Sequence, residues 1–205
     1  MEPNKTLFAV IKPDTVKTKI ILDNVLTMLG NRIYIDKNGD KQPLLIVEGA
    51  SKKIEDRGDG TYTIKANNGE NFAIKIVFQR ISATGKQSIV SEFFKEYAQY
   101  RKILIARDFN NKIADYVSKH HTQIFKEATL LSNLIDYRDQ PKFELLSPSE
   151  MERFKAEYNA TDYTTKKMLR SDPVAKYFAL RKGDIMRIVR PSPTSGEAID
   201  YRIIM

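Results

Sequence analysis

The chain of 205 residues contains no cysteine, which excludes disulfides and thiolate metal sites. Hydrophobic residues make up 41% of it, so the composition excludes wholesale disorder and fits one large domain or two small ones. The net charge of +8 is compatible with a polyanionic partner but does not identify one. Because no apolar stretch is long enough for a signal peptide or a membrane span, we expect a soluble intracellular protein.

The first predicted helix covers residues 15–29. Its apolar residues recur at helical spacing, Asp14 can cap its first turn, and Gly30 is expected to end it in the left-handed conformation. Further elements are predicted in chain order: strands at 44–48 and 61–66, a turn at 67–70, a strand at 71–79, a helix within 86–100, a strand at 102–106, a helix at 110–119 and a strand at 122–126. The alternation of strands with helices predicts an α/β unit with parallel strands.

A polar segment, residues 136–141, ends in proline. Such a segment is typical of a domain boundary, because few packed contacts cross it. We therefore predict an N-terminal α/β domain at 1–135 and a smaller C-terminal α+β domain at 136–205.

Two helices and a hairpin are predicted in this C-terminal domain. Ser147 and Glu150 have the spacing of a capping box, and Asp172-Pro173 begins a second helix that Gly183 separates from the hairpin. The buried side of the first helix is expected to comprise Met151, Phe154 and Tyr158. The hairpin is predicted from strands at 184–190 and 198–205, with one face formed by Ile199, Tyr201, Ile203 and Met205.

The short motifs that would carry chemistry are incomplete. Thr84–Ser88 has the context of a phosphate loop but lacks its first glycine and its final hydroxyl. Asp36–Asp40 looks like the start of a calcium loop, but Lys41 and Val47 stand where that loop needs its glycine and its bidentate glutamate, so we predict a polar hairpin turn there. His120 and His121 are the only histidines, and neighbours in sequence do not converge on one metal. We interpret them as a solvated helix end and predict no catalytic residue, no metal and no cofactor.

A long fixed pattern stands near the C-terminus. It reads SDPVAKYFALRKGD at 171–184, RIVR at 187–190, TSG at 194–196 and YR at 201–202. This sequence resembles, without a gap, the C-terminal assembly domain that the fifth subunit of eukaryotic DNA-directed RNA polymerases shares with its archaeal counterpart. It departs at Ala179, where the family has glycine, and we expect a slightly different backbone at that position.

The resemblance implies a surface that docks on the largest polymerase subunit, formed by Tyr177, Arg181, Lys182, Arg187, Arg190, Tyr201 and Arg202. It implies structural roles for Asp172, Pro173, Gly183 and Gly196. Residues 166–205 contain nine Lys or Arg against four Asp or Glu, so an acidic partner surface is expected. Without the resemblance, such charges are more often a solvated rim.

The N-terminal half resembles, in outline, the jaw domain of the eukaryotic subunit, which the archaeal counterpart lacks. Asn110 and Asn111 stand where that family has Asn-Asn before a Thr-Pro-Ser-Ala turn near downstream DNA. Here Lys112–Asp115 replaces the turn, so detailed DNA contacts do not carry over, and Lys112 is expected to meet phosphate charge only. Drift of this kind in a cysteine-free jaw suggests a version from a large DNA virus.

The resemblance therefore implies a non-catalytic subunit of a multisubunit DNA-directed RNA polymerase, active in transcription. Its partners would be the largest subunit, other polymerase subunits and, weakly and nonspecifically, downstream duplex DNA, with no membrane and no small-molecule substrate. Its place would be the host cytoplasm and the virion if it is viral, and otherwise the nucleus. Two alternatives stay open: a stand-alone nucleic-acid-binding protein that reuses the assembly domain, and an enzyme with an unrecognised site in the α/β half.

Overall fold

The structure is a computed structural model that describes residues 12–48, 54–82, 85, 88–137 and 139–205. Two compact units divide these residues. Unit 1 takes in residues 12–26, 54–64 and 71–132, and unit 2 takes in 27–48, 65–70 and 133–205, within the ranges described. The units alternate along the first 70 residues, and the single domain boundary between 135 and 136 stays a prediction.

The helices and strands follow in chain order. They are α1 (Asp14–Asn31), β1 (Ile33–Ile35), β2 (Lys41–Pro43), β3 (Glu55–Gly58), β4 (Thr61–Lys65), β5 (Asn71–Ile81), α2 (Ile89–Glu96), β6 (Arg101–Phe109), α3 (Asn111–Lys119), β7 (Thr122–Lys126), α4 (Glu127–Leu130), β8 (Lys142–Leu145), α5 (Pro148–Glu157), β9 (Lys166–Met168), α6 (Pro173–Tyr177), β10 (Ile185–Ser192) and β11 (Gly196–Ile204). The mixed α/β class predicted from the sequence is confirmed.

A five-stranded sheet in the order β3-β4-β5-β6-β7 is the centre of unit 1. The pairs β5–β6 and β6–β7 are parallel, as the alternation of strands and helices predicts. The side chains of α2 and α3 pack on one face of this sheet, around Val90, Phe94, Leu104 and Val117. Helices α2 and α3 begin where Ser88 and Asn110 accept a backbone N–H from the first turn, which replaces a bond that the helix cannot make.

Two expectations near the start of the chain are wrong. Gly30 lies within α1 rather than at a left-handed stop, because the helix continues to Asn31. A Cβ at Gly30 would overlap Val47 and lie 3.4 Å from the carbonyl oxygen of Leu45, so this position needs glycine for close packing. The strand predicted at 44–48 is absent from that described range. The polar turn at Asp36 is confirmed and joins β1 to β2 as an antiparallel hairpin.

Unit 2 is built on a four-stranded sheet in the order β8-β10-β11-β9. The predicted terminal hairpin is confirmed, since β10 pairs with β11 over eight residues of antiparallel ladder. Helix α5 packs on one face through Phe154, beside Ile185 and Ile203. The residues around α6 pack on the other face, beside Met186 and Ile204.

The caps of both helices in unit 2 are confirmed. Ser147 accepts from the amide of Glu150 while the Glu150 carboxylate accepts from the amide of Ser147. Asp172 accepts from the amide of Val174 at 2.8 Å, and Pro173 occupies the first helical position, where no N–H is needed. Tyr158 is not buried as predicted, because α5 ends at Glu157 and leaves its side chain 59% exposed.

Helix α6 ends on an unusual residue. Ala179 has φ +54°, and the amide of Leu180 donates to the Ala175 carbonyl oxygen at 2.9 Å, which is the arrangement that ends many helices on glycine. The expectation of an altered backbone at Ala179 is therefore wrong. The alanine adopts the left-handed bend and carries its steric cost, about 1 kcal/mol.

Opposite effects are expected at the two left-handed positions of this segment. Gly183 has φ +92°, and nothing lies within 4 Å of a Cβ added there. Gly183→Val should therefore lower the free energy of unfolding by about 2 kcal/mol through backbone strain alone, whereas Gly183→Asn should lower it by less.

Ala179→Gly should raise the free energy of unfolding by up to about 1 kcal/mol, because glycine adopts the left-handed bend without steric cost. Urea denaturation measures all three, and equal values for Val and Asn at position 183 would contradict the strain argument.

Candidate interaction surfaces

The sheet of unit 2 divides the predicted docking residues between its two faces. Residues directly opposite each other on paired strands share a face. Arg187 lies opposite both Tyr201 and Glu144, whereas Arg202 lies opposite Met186 on the face that α6 covers. Arg190 alternates with Val189 along β10 and therefore belongs to the Arg202 face. The predicted residues thus do not form one surface.

Glu144 organises the charges on the Arg187 face. Its carboxylate lies 2.7 Å from Lys142 Nζ and 3.4 Å from Arg187 Nη1. The hydrogen bond from Lys142 is the largest of the effects that hold the pKa of Glu144 below its ordinary value, against the opposing effect of burial. Arg187 Nε is buried and has no hydrogen-bond acceptor, so Glu144 leaves part of the guanidinium unsatisfied.

Aromatic rings lie beside these charges. The ring of Tyr201 packs against that of Phe154 in a tilted arrangement, with 4.3 Å between centroids, and lies 5.9 Å from the ring of Tyr158. Tyr201 is half-buried as a result. It combines an apolar body with a hydroxyl, the character that tyrosine contributes to protein interfaces.

Asp200 organises the charges on the opposite face. It accepts from Lys166 Nζ at 2.7 Å and from Arg202 Nε at 3.2 Å. Burial alone would raise the pKa of Asp200, but these two cations outweigh it and the pKa lies below its ordinary value. Lys166 and Arg202 therefore already have an acidic partner within the chain, namely Asp200. Arg190, on the same face, has an exposed side chain.

The turn between α6 and β10 carries Arg181 and Lys182, both with exposed side chains. The backbone amide of Arg181 donates to the Asp184 carboxylate at 2.7 Å, and the Gly183 amide donates to the Ile204 carbonyl oxygen. The turn is thereby tied to the end of β11. Gly196 has φ +74° at the start of β11, consistent with its predicted structural role in the hairpin loop.

Tyr177 lies in the interior of unit 2. Its side chain is 4% exposed, and its hydroxyl accepts from Asn31 Nδ2 at 2.9 Å. Burial is the main cause of the raised pKa of Tyr177. Its side chain is therefore a core group and is not available to a docking surface, which corrects its assignment there.

Arg32 is a buried cation that the sequence does not single out. Its guanidinium donates from Nε to the Tyr177 carbonyl oxygen at 2.7 Å and from Nη2 to the Lys176 carbonyl oxygen at 3.2 Å. Burial lowers the pKa of Arg32 to about 10. The group donates to carbonyl oxygens at the end of α6, where a helix leaves its last acceptors without helical partners; the Lys176 carbonyl oxygen also accepts from the Ala179 amide. No local pattern could have identified it, because its partners lie far along the chain.

The predicted DNA-proximal residues lie around the start of α3 in unit 1. Asn110 caps the helix, accepting from the amide of Ile113 at 2.9 Å, so its side chain has a structural use. Asn111 and Lys112 are exposed in the first turn. Nearby in the sheet, Asp108 lies 2.8 Å from Lys126 Nζ, and this hydrogen bond is the main cause of the lowered pKa of Asp108.

A second buried charge in the protein is Glu127 of unit 1, which is 6% exposed. Its Oε1 lies 2.7 Å from Lys17 Nζ, and its Oε2 lies 3.9 Å from Arg107 Nε. Lys17 also lies over the ring of Phe78, 5.7 Å from its centroid. The hydrogen bond to Glu127 is the largest cause of the raised pKa of Lys17. This ion pair joins α1 to the residues that follow β7.

Among the residues that the structure describes, no group of three or more His, Cys, Asp or Glu side chains could hold a metal ion. His120 lies at the end of α3 with its ring 4.9 Å from Phe94 and 4.8 Å from Tyr116, and His121 is exposed. No helix in the described ranges is long and apolar enough to cross a membrane.

Comparison with known proteins gives matches across the whole chain. Residues 132–204 match the family model described as RNA polymerase Rpb5, C-terminal domain. The chain is 53% identical to DNA-directed RNA polymerase subunit 5 of Acanthamoeba polyphaga mimivirus over 205 residues, which is 100% of both chains. It is 26% identical to the subunit RPABC1 of RNA polymerases I, II and III of Caenorhabditis elegans, over 94% of this chain and 97% of that one. A third match, to the Dictyostelium discoideum subunit rpabc1, is 31% identical over 65% of this chain and 56% of that protein.

Proposed function

Because this chain belongs to the family of DNA-directed RNA polymerase subunit 5, we propose that it is a non-catalytic subunit that docks through unit 2 on the largest subunit of its polymerase. Its resemblance to that family, including a large-DNA-virus member, and its function in transcription are confirmed. Other polymerase subunits are its partners. The observation that carries the proposal is 53% identity over all 205 residues, which include both units.

The charge and the exposure of unit 2 support a docking role. Nine basic against four acidic residues in 166–205 suit an acidic partner surface, and opposite potentials accelerate association and fix its register. Nucleotide addition and its magnesium would belong to the large subunits. Unit 1 would lie beside downstream DNA, where Lys112 would contribute nonspecific phosphate attraction that weakens with salt.

We propose the host cytoplasm and the virion as the place of action. The identity to the viral subunit, which is twice that to the nematode subunit, 53% against 26%, supports this proposal.

Charge reversal tests the docking role. The double variant Arg187→Glu and Arg190→Glu reverses one charge on each face of the sheet. It should reduce co-purification with the largest subunit by about tenfold or more, because one of the two changes places like charges against an acidic surface whichever face docks. Lys95→Glu with Lys119→Glu, an equal change at exposed positions of unit 1, is the control.

Unaltered co-purification of the Arg187 and Arg190 variant would contradict the docking role. Tight DNA binding by the isolated chain at physiological salt would favour the stand-alone alternative instead. For the polymerase subunit, binding of the isolated chain to DNA should be weak.

A further inference from the structure

Two hairpin turns of the chain contain the dipeptide Asn-Gly. Asn38-Gly39 lies between β1 and β2, and Asn68-Gly69 lies between β4 and β5. In this dipeptide the glycine amide nitrogen can attack the carbonyl carbon of the asparagine side chain, because glycine has no side chain to hinder the approach. Both asparagines have exposed side chains. Both are therefore candidates for spontaneous deamidation, a covalent modification that turns a neutral amide into a carboxylate.

The backbone is the same in the two turns. The Gly39 amide donates to the Asp36 carbonyl oxygen at 3.1 Å, and the Gly69 amide donates to the Ala66 carbonyl oxygen at 3.1 Å. The angle φ is +87° at Gly39 and +86° at Gly69, as in hairpin loops that end on a left-handed glycine. The attacking nitrogen therefore has the same surroundings in both turns, and the backbone does not distinguish the two sites.

The asparagine side chains differ. Asn68 Oδ1 accepts from the Glu70 amide at 3.0 Å, and Asn68 Nδ2 donates to the Glu70 carboxylate at 3.0 Å. In the other turn it is the Asp36 carboxylate that accepts from the backbone, namely from the amides of Asn38 and Asp40, both at 2.9 Å. The Asn38 side chain itself forms no hydrogen bond with the residues that the structure describes.

This restraint decides which asparagine reacts faster. Attack requires the side chain to rotate towards the next backbone nitrogen, and at Asn68 both bonds to Glu70 must break first. Two hydrogen bonds of ordinary strength correspond to a rate that is lower by about tenfold or more. Charge does not alter the order, because residues 36–41 contain two acids and two lysines and residues 65–70 contain one of each.

We propose that Asn38 is a deamidation site, that Asn68 is protected, and that deamidation at Asn38 loosens the hairpin of β1 and β2. The Gly39 nitrogen bonds to Asn38 Cγ, its proton passes through solvent to the departing amide, and ammonia leaves. Water then adds to either carbonyl of the cyclic imide and gives aspartate or isoaspartate, without an oxidant or a reductant. The inference does not depend on the proposed function.

The loosening follows from the bonds in the turn. Isoaspartate at position 38 lengthens the main chain by a methylene group immediately before Gly39. The amides of Gly39 and Asp40 both donate to Asp36, and the longer chain would displace them. A new carboxylate would also stand beside that of Asp36. Strands β1 and β2 pair over three residues each, so little else holds this hairpin closed.

Peptide mapping by mass spectrometry of the full chain, incubated at neutral pH, tests the site. Deamidation at Asn38 should proceed at least about tenfold faster than at Asn68. In concentrated urea the two rates should agree within about twofold, because both sites are Asn-Gly followed by an acid and the folded turns are lost. Asn38→Gln is the matched control and should stay unmodified at position 38, because glutamine must close a larger ring.

Two further measurements test the protection and the consequence. Glu70→Ala removes the acceptor of Asn68 Nδ2, so it should raise the rate at Asn68 and leave the rate at Asn38 unchanged. Hydrogen exchange of the β1 and β2 amides should be faster in the aged chain than in Asn38→Gln aged equally.

Equal rates at the two asparagines in the folded chain, or no modification at Asn38, would overturn the proposed site. A difference that persists in urea, or a rate at Asn68 that Glu70→Ala leaves unchanged, would overturn the protection by hydrogen bonds. Unchanged exchange of the β1 and β2 amides in the deamidated chain would overturn the loosening.

Discussion

Arg32→Ala is expected to lower the free energy of unfolding of unit 2 by about 3 kcal/mol. The guanidinium donates to the carbonyl oxygens of Lys176 and Tyr177, and its removal leaves both without that donor in a buried place. The alanine would also leave a cavity where the longer side chain lies. Part of the loss is offset because the cation itself is costly to bury, as the lowered pKa of Arg32 indicates.

Two further substitutions separate these contributions. Arg32→Lys keeps a cation but loses the two-point donation, so it should cost about 1 to 2 kcal/mol. Arg32→Met keeps most of the volume and removes every donor, and it should cost more than lysine and less than alanine. Hydrogen exchange of the β10 and β11 amides reports the stability of unit 2 directly. An alanine variant within about 0.5 kcal/mol of the unchanged chain would contradict this role of Arg32.

Gly60→Ala is expected to destabilise unit 1 by about 3 kcal/mol, because two separate costs add. Gly60 has φ +69°, and an added Cβ would lie 2.7 Å from the Ile76 carbonyl oxygen. The Ile76 amide also donates to the Gly60 carbonyl oxygen at 2.8 Å, so relief of the contact would disturb a backbone bond to β5.

Gly58→Ala is the matched control for Gly60. Gly58 has φ +83° and nothing within 4 Å of an added Cβ, so its variant carries the conformational cost alone, about 1 kcal/mol. Hydrogen exchange of the β5 amides gives both values. Equal decreases in the free energy of unfolding for Gly58→Ala and Gly60→Ala would show that the contact with the Ile76 carbonyl oxygen does not contribute to the loss.

Features fixed by neighbouring residues could be predicted from the sequence. The capping box at Ser147, the Asp172 cap and the alternation that gives parallel β5, β6 and β7 each depend on a few adjacent residues. The terminal hairpin follows from the same kind of local pattern. The family resemblance likewise depended on fixed spacing within 171–202.

Features fixed by distant packing could not be predicted. Gly30 looks like a helix end in sequence, but its role depends on Val47 and Leu45. The sequence suggests a surface position for Tyr177, but in the structure its side chain is buried and its hydroxyl accepts a hydrogen bond from Asn31. The division of Arg187 and Arg190 between opposite faces follows from strand alternation, yet the packing of α5 on one face and of the residues around α6 on the other depends on distant contacts.

Ala179 adopts a left-handed backbone conformation although glycine is the residue that favours it. The left-handed bend is retained at φ +54° although the side chain is alanine. Hydrogen bonds of Ala179 and Leu180 to the carbonyl oxygens of Lys176 and Ala175, together with burial of Leu180 beside Ala175, over-determine the turn. Such support offsets a local strain of about 1 kcal/mol.

Purification of the tagged chain from cells that express its polymerase, followed by gel filtration and mass spectrometry, tests the docking role most directly. We predict that the chain elutes with the largest subunit in equal amounts and stays with it at a salt concentration that removes DNA. Elution of the chain alone, with no large polymerase subunit in its fraction, would contradict the account.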